Sequence, residues 1–138
     1  TIILGGGLVG CEAAADYIDH GVKTTIVEMK AALMPDITGL YRTAVHDFID
    51  EHGGKYEVNA RVTKAGKAFV TAEQDGKEIT LKADTVVNAM GRRNHSTEAL
   101  EAVINEKDIL VWKIGDCVHA RQIGDSVREG WTAAMEII

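Results

Sequence analysis

Three glycines near the start of the sequence have the spacing of a phosphate-binding loop. Gly5, Gly7 and Gly10 follow the apolar run TIIL and precede a stretch that is predicted to be a helix. In this arrangement the first glycine permits a tight turn, the second lets a pyrophosphate approach the backbone, and the third lets the helix pack close to the strand. The free N–H groups at the helix N-terminus attract the phosphates. The predicted binding stretch comprises Gly5, Gly6, Gly7, Leu8, Val9 and Gly10.

A carboxylate lies at the spacing that the same kind of site requires. Glu28 ends the next apolar run, 18 residues after Gly10, and it can accept hydrogen bonds from both hydroxyls of an adenosine ribose. It would also repel the 2′-phosphate of NADP. Met29 is neutral and Lys30 is interpreted as a solvated loop charge, so the pattern predicts binding of NAD(H) in preference to NADP(H). The alternative is a structural glycine turn in which Glu28 is a solvated strand end.

The elements that must position these residues alternate between strand and helix. The run before the glycines lacks polar alternation, which is typical of a strand buried on both faces. The β-branched run KTTIVE predicts a second strand, and apolar residues at three- and four-residue steps predict a second helix. The elements predicted for this part are a strand at 1–4, a helix at 8–20, a strand at 23–28, a helix at 36–52 and a strand at 56–58.

The pattern changes after residue 59. Three short alternating segments are separated by Gly66-Lys67 and Asp75-Gly76, and an Asp-Gly pair is a strong hairpin signal. The sequence therefore predicts α/β architecture, a Rossmann-like doubly wound parallel sheet with an antiparallel three-stranded meander. The elements predicted after the meander are a strand at 85–89, a short helix at 97–103, a strand at 109–114 and a helix at 123–138.

Composition argues against several classes of partner. The 138 residues include 21 acidic and 15 basic ones, and the net charge of −6 disfavours a nucleic-acid or anionic-membrane surface. No apolar run approaches the ~20 residues that span a bilayer. The cysteines and histidines lack metal-ligand spacing, so no metal site is predicted. Cys11 and Cys117 are expected to be buried structural residues, and two isolated cysteines fit a reducing, cytoplasmic location.

Three further segments carry a resemblance to a known family. Glu12 lies two residues after Gly10, the segment AMGRR contains Gly91, and IGDCVHARQIGDSVREG begins at Ile114. Together with the glycine motif and the meander, these segments resemble the second dinucleotide-binding domain of flavoprotein reductases. The resemblance is to the C-terminal NAD(P)-binding domain of the old-yellow-enzyme-like NADH:flavin oxidoreductases, of the 2,4-dienoyl-CoA reductase and trimethylamine dehydrogenase type.

The resemblance implies a role for each segment. In that family an NAD(P)-binding domain is inserted into an FAD-binding domain. Glu12 and Gly91 match positions near the pyrophosphate and the nicotinamide, whereas Gly115 and Asp116 match the turn whose carboxylate bonds the FAD ribityl chain. The implied division is an NAD(P)-binding domain at 1–108 and, at 109–138, the returning segment of an otherwise absent FAD-binding domain.

Three departures from the family pattern shape the functional expectation. No GxGxxG precedes Gly5, the barrel for FMN and substrate chemistry is missing, and Asn94-His95 stand where a proline is usual. We therefore expect an excised domain of an oxidoreductase that passes hydride from NADH to FAD. In isolation it should bind the dinucleotide without turnover and without a catalytic side chain of its own.

The expected partners are the dinucleotide and the remainder of the parent flavoprotein, with FAD bound only in that full-length parent. An apolar face near 109–138 is expected to be exposed and to favour self-association. Two other functions stay open: an FAD-binding domain and a non-catalytic dinucleotide-binding module.

Overall fold

The computed structural model describes residues 1–107 and 109–137, which form alternating strands and helices. The strands are β1 (Ile2–Leu4), β2 (Thr25–Val27), β3 (Lys55–Glu57), β4 (Ala60–Ala65), β5 (Phe69–Gln74), β6 (Lys77–Lys82) and β7 (Val86–Asn88). The helices are α1 (Leu8–Asp19), α2 (Leu40–Glu51), α3 (Glu98–Glu106) and α4 (Ile123–Glu136), with a 3-10 turn at Gly115–Cys117. No helix within these residues is both long and apolar enough to cross a membrane.

A parallel sheet with the strand order β3-β2-β1-β7 organises the first part of the chain. The register places Ile3 beside Ile26 on one side and beside Val87 on the other. β1 is therefore a central strand, which explains why all three of its residues are apolar and buried. The predicted Rossmann-like parallel sheet is confirmed.

The two faces of this sheet have different covers. Ile3 packs with Cys11 of α1 and Ile49 of α2, whereas Ile2 and Leu4 pack in the cluster that includes residues of β5. Alternation along a strand sends successive side chains to opposite faces. Helices α1 and α2 therefore cover one face of the parallel sheet, and the second sheet covers the other.

The second sheet is the predicted meander, with the order β4-β5-β6 and antiparallel pairing throughout. Asp75 and Gly76 join β5 to β6 with φ angles of 51° and 73°. Two consecutive positive φ angles are the signature of the tight hairpin turn for which an Asp-Gly pair is preferred. The meander and its second turn are confirmed.

Helix α2 begins later than predicted, at Leu40 rather than at residue 36. The preceding residues form a turn in which the Ile37 N–H donates to the Met34 carbonyl at 3.1 Å. Ile37 nevertheless packs against the helix-side core. The helix-like spacing of apolar residues therefore begins before the helix itself, in a segment whose backbone is not helical. For this reason the predicted start of α2 is too early.

Residue contacts divide the chain into two units, Thr1–Gly91 and Arg92–Ile138. In the second unit α4 contacts the 3-10 turn, and the Gly115 N–H donates to the Glu129 carboxylate at 2.6 Å. The Trp112 indole N–H donates to the Glu136 carboxylate, also at 2.6 Å. The predicted domain boundary between residues 108 and 109 stays a prediction.

The predicted strand at 109–114 is wrong. These residues form no ladder, because no described segment supplies the neighbouring backbone groups that a strand requires. Apolar side chains here and along α4 are exposed, among them Leu110, Ile123 and Trp131. Self-association through this region stays a prediction. The predicted end of the last helix, at Ile138, lies outside the described residues.

Candidate functional site

Two of the motif glycines are required by packing. Gly5 has a φ of +100°, and a Cβ atom there would lie 2.6 Å from the carbonyl oxygen of Ala89. A Cβ atom on Gly10 would overlap the carbonyl oxygen of Gly5. Both positions therefore exclude a side chain, because the backbone after β1 passes close to α1 and to the end of β7.

Gly7 differs from both. It precedes α1 with an ordinary extended backbone, φ −72° and ψ −174°, and a Cβ atom there would meet no atom of the residues that the structure describes within 4 Å. Neither conformation nor packing requires glycine at this position. Because Gly7 has no side chain, an approaching molecule can reach the backbone. A pyrophosphate that binds at a helix N-terminus requires this access.

The N-terminus of α1 is electrostatically available. No side chain of residues 1–107 or 109–137 caps it, and its first turn contains no acidic residue. The first N–H groups of a helix have no acceptor within the helix, and together with the helix dipole they favour an anion. Leu8 is half-buried, Val9 is exposed and Gly10 is buried, so the first turn is open to solvent on one side.

Glu28 links the end of β2 to the glycine stretch. Its side chain is buried, one carboxylate oxygen accepts the Gly6 N–H at 2.6 Å, and the other accepts the Lys30 N–H at 2.7 Å. Gly6 is also tightly packed, since a Cβ atom there would lie 2.5 Å from Cδ2 of Leu33. The two hydrogen bonds therefore fix the position of the Glu28 carboxylate beside the glycine stretch.

A cavity of about 430 Å³ lies at the carboxyl ends of β1, β2 and β7. Ligands of open α/β sheets bind at the carboxyl ends of the strands, next to the strand from which the connections run to opposite sides of the sheet. In this sheet that strand is β1, which lies between β2 and β7. The cavity brings together six of the predicted residues: Gly5, Gly7, Glu28, Met29, Lys30 and Gly91.

Two charged residues of the cavity wall were missed by sequence reasoning. Asp36 was predicted to begin a helix, and Arg61 was predicted only as part of the meander. Arg61 reaches the cavity because β4 starts beside the end of β2, where the Ala60 N–H donates to the Glu28 carbonyl at 2.9 Å. This pairing joins residues that are far apart in sequence, and no local pattern marks it.

Gly6, Leu8, Val9 and Gly10 flank the lining residue Gly7, and the other three predicted residues lie elsewhere. Glu12 is on α1, outside the cavity lining, and accepts a hydrogen bond of 2.5 Å from the Tyr41 hydroxyl. That bond raises the pKa of Tyr41. Gly115 and Asp116 belong to the second unit, where an Asp116 carboxylate oxygen lies 3.6 Å from a guanidinium nitrogen of Arg92.

The two cysteines have opposite environments. Cys11 is buried against the glycine stretch, with its Sγ 3.4 Å from the Gly6 carbonyl oxygen. Burial, followed by the negative charges of Glu28 and Glu12, raises the pKa of the Cys11 thiol to about 11. Cys117 is exposed, so its predicted burial is wrong. The 3-10 turn that carries it leaves its side chain in solvent.

This contrast predicts selective thiol modification. At pH 8 a thiol-specific reagent should label Cys117 and leave Cys11 unmodified until the protein is unfolded, because the reactive thiolate of Cys11 is both scarce and buried. Peptide mass mapping after alkylation, with and without urea, measures this. Labelling of Cys11 in the folded protein at the rate of Cys117 would contradict the structure.

The fold and the cavity define a Rossmann-like α/β domain whose candidate site lies where the parallel strands end. The family model for pyridine nucleotide-disulphide oxidoreductase matches residues 1–136, and the chain belongs to this family. The match supports the coarser part of the resemblance, a family of flavoproteins with two dinucleotide-binding domains.

Several curated oxidoreductases are similar in sequence. The NADH oxidase of Thermoanaerobacter brockii is 32% identical over 138 residues, covering 99% of this chain and 21% of that protein. The bilirubin reductase of Mediterraneibacter gnavus is 29% identical over 137 residues, covering 97% of this chain and 21% of the relative. The chain therefore spans about a fifth of the length of these relatives.

Solved structures share the fold. The 6-hydroxypseudooxynicotine amine oxidase of Pseudomonas geniculata N1 matches with a TM-score of 0.76 and 25% identity, covering 97% of this chain and 21% of that one. A 2-naphthoyl-CoA reductase matches with a TM-score of 0.72 and 21% identity, covering 94% of this chain and 20% of that chain. The chain thus shares its α/β architecture with a solved amine oxidase and a solved reductase.

Proposed function

We propose that this chain is the NAD(H)-binding domain of a flavin-dependent oxidoreductase that passes hydride from NADH to FAD. The observation that carries the proposal is the arrangement around Gly7. An uncapped helix N-terminus and an open glycine that packing does not require lie at one cavity, and Glu28 lies at the same cavity.

The residues present fit a dinucleotide. The first-turn N–H groups of α1 would hold the pyrophosphate, and the missing side chain of Gly7 lets it approach. Each carboxylate oxygen of Glu28 accepts one backbone N–H and retains acceptor capacity for a ribose hydroxyl. The cavity volume of about 430 Å³ lies within the usual range of small-molecule and cofactor sites.

The nicotinamide ring, when bound, supplies the hydride, and the protein's part is to bind and orient the cofactor. No side chain of the cavity is assigned as an acid or a base. Glu12 and Gly91 are proposed to lie towards the pyrophosphate and the nicotinamide, as the family resemblance implies.

The remainder of the parent enzyme supplies the electron acceptor in this proposal. Residues 1–108 form the NAD(H)-binding domain, and 109–138 return to an FAD-binding domain in which Gly115 and Asp116 contact the flavin ribityl chain. The name of one relative, an NADH oxidase, supports a parent that uses reduced nicotinamide. We place this parent in the cytoplasm.

Parallel calorimetric titrations of the purified chain with NADH, NADPH and FAD test the proposal, together with an absorbance scan for retained flavin. We expect a colourless protein that binds NADH more tightly than NADPH or FAD. Preferential FAD binding, or a yellow protein, would instead indicate an FAD-binding domain. A folded chain that binds no nucleotide would overturn the proposal.

A further inference from the structure

Both cations on the cavity wall are held by carboxylates. The Lys30 Nζ lies 2.9 Å from an Asp36 carboxylate oxygen, and a guanidinium nitrogen of Arg61 lies 3.3 Å from a carboxylate oxygen of Glu73. The side chains of Lys30 and Arg61 are 54% and 69% exposed. They are therefore accessible to a ligand but already occupied by partners of opposite charge.

The net charge of the cavity wall is zero, and it becomes negative by one when the ion-pair partner Glu73 is included. Glu28 and Asp36 balance Lys30 and Arg61 on the wall itself, and Glu73 adds one negative charge behind Arg61. A phosphate monoester carries nearly two negative charges at neutral pH. Its recognition needs cations that are free to donate hydrogen bonds to its oxygens.

We infer that Asp36 and Glu73 are positioning residues that set the cofactor preference of this cavity, by holding Lys30 and Arg61 away from a 2′-phosphate. The inference rests on the proposed function and extends it to two residues that do not themselves contact the ribose. In wild type, Glu28 repels the 2′-phosphate while the two ion pairs withhold the groups that would bind it.

Neutralising the partners should release the cations with little effect on folding. Exposed ion pairs contribute about 0–1 kcal/mol to stability, so Asp36→Asn and Glu73→Gln should fold as wild type does. Each substitution also removes one negative charge near the proposed ribose position. Both effects raise the affinity for a ligand with a 2′-phosphate. They leave the affinity for a ligand with a 2′-hydroxyl almost unchanged.

The test is calorimetric titration of wild type, Asp36→Asn, Glu73→Gln and the double variant with NADPH and NADH, and with adenosine 2′,5′-bisphosphate and AMP. Each single variant should raise the NADPH affinity by about threefold to tenfold and change the NADH affinity by less than about twofold. The gain should shrink at high salt, because freed surface cations are screened.

Second-site variants distinguish release of the cation from a general structural change. Asp36→Asn/Lys30→Ala should lose the gain seen with Asp36→Asn alone, and Asp36→Glu should keep the wild-type ratio of the two affinities. If the single variants bind NADH and their ratio of NADPH to NADH affinity equals that of wild type, this inference is overturned and the proposed function still stands. Absence of NADH and NADPH binding in wild type would overturn both.

Discussion

Gly10→Ala is expected to lower the free energy of unfolding by about 3 kcal/mol, the upper end for inserting one methyl group into a packed core. The new Cβ atom would overlap the Gly5 carbonyl oxygen, which belongs to backbone that is itself held by a 2.8 Å hydrogen bond from the Gly5 N–H to Val27. Relief therefore requires α1 to move away from the end of β1. Urea denaturation followed by circular dichroism measures the loss.

Gly7→Ala is the matched control for Gly10→Ala. It lies three residues earlier in the same motif, carries the same added methyl group, and meets nothing within 4 Å. It should lower the free energy of unfolding by about 1 kcal/mol or less, since its one expected effect on stability is that alanine is less favourable than glycine at the N-cap position of a helix. Equal destabilisation by the two substitutions would contradict the assignment of Gly10 to packing.

The same Gly7→Ala variant should weaken NADH binding by about tenfold or more, because its methyl group occupies the space through which the pyrophosphate approaches the helix N-terminus. Loss of affinity without loss of fold is the expected combination, and isothermal calorimetry with a thermal melt of the same sample measures both.

Gly124→Ala is the control for the binding measurement. Gly124 also has open space around its Cβ position, and it does not line the cavity. Wild-type NADH affinity is expected for this variant. Undiminished NADH affinity in Gly7→Ala would count against the placement of the pyrophosphate at this helix.

The opposite expectations for Gly7 and Gly10 show how a single motif combines two functions. The motif spacing by itself predicts a different role for each of the three glycines. In the structure, Gly5 and Gly10 satisfy the fold, whereas Gly7 satisfies no packing requirement that the described residues reveal. The spacing predicts these roles, and the surroundings of each Cβ position give the physical reason why Gly5 and Gly10 exclude a side chain and Gly7 does not.

The amino-acid sequence by itself determined the first βαβ unit, the meander with its Asp75-Gly76 turn, and the position of Glu28 at the end of β2. These features follow from local rules, because strand and helix periodicity, turn propensity and short spacing act over a few residues. Five of the six predicted residues that line the cavity, from Gly5 to Lys30, come from the first βαβ unit, and the sixth, Gly91, follows β7.

Tertiary structure alone decided the rest. Arg61 joins the cavity because β4 begins beside the end of β2, and Asp36 joins it because the segment before α2 turns back towards Gly6, where the Met34 N–H donates to the Gly6 carbonyl. The apolar run at 109–114 has strand-like composition but forms no ladder among the described residues, since a strand depends on a neighbour. Composition reports what a segment can form, and contacts between distant residues decide what it does form.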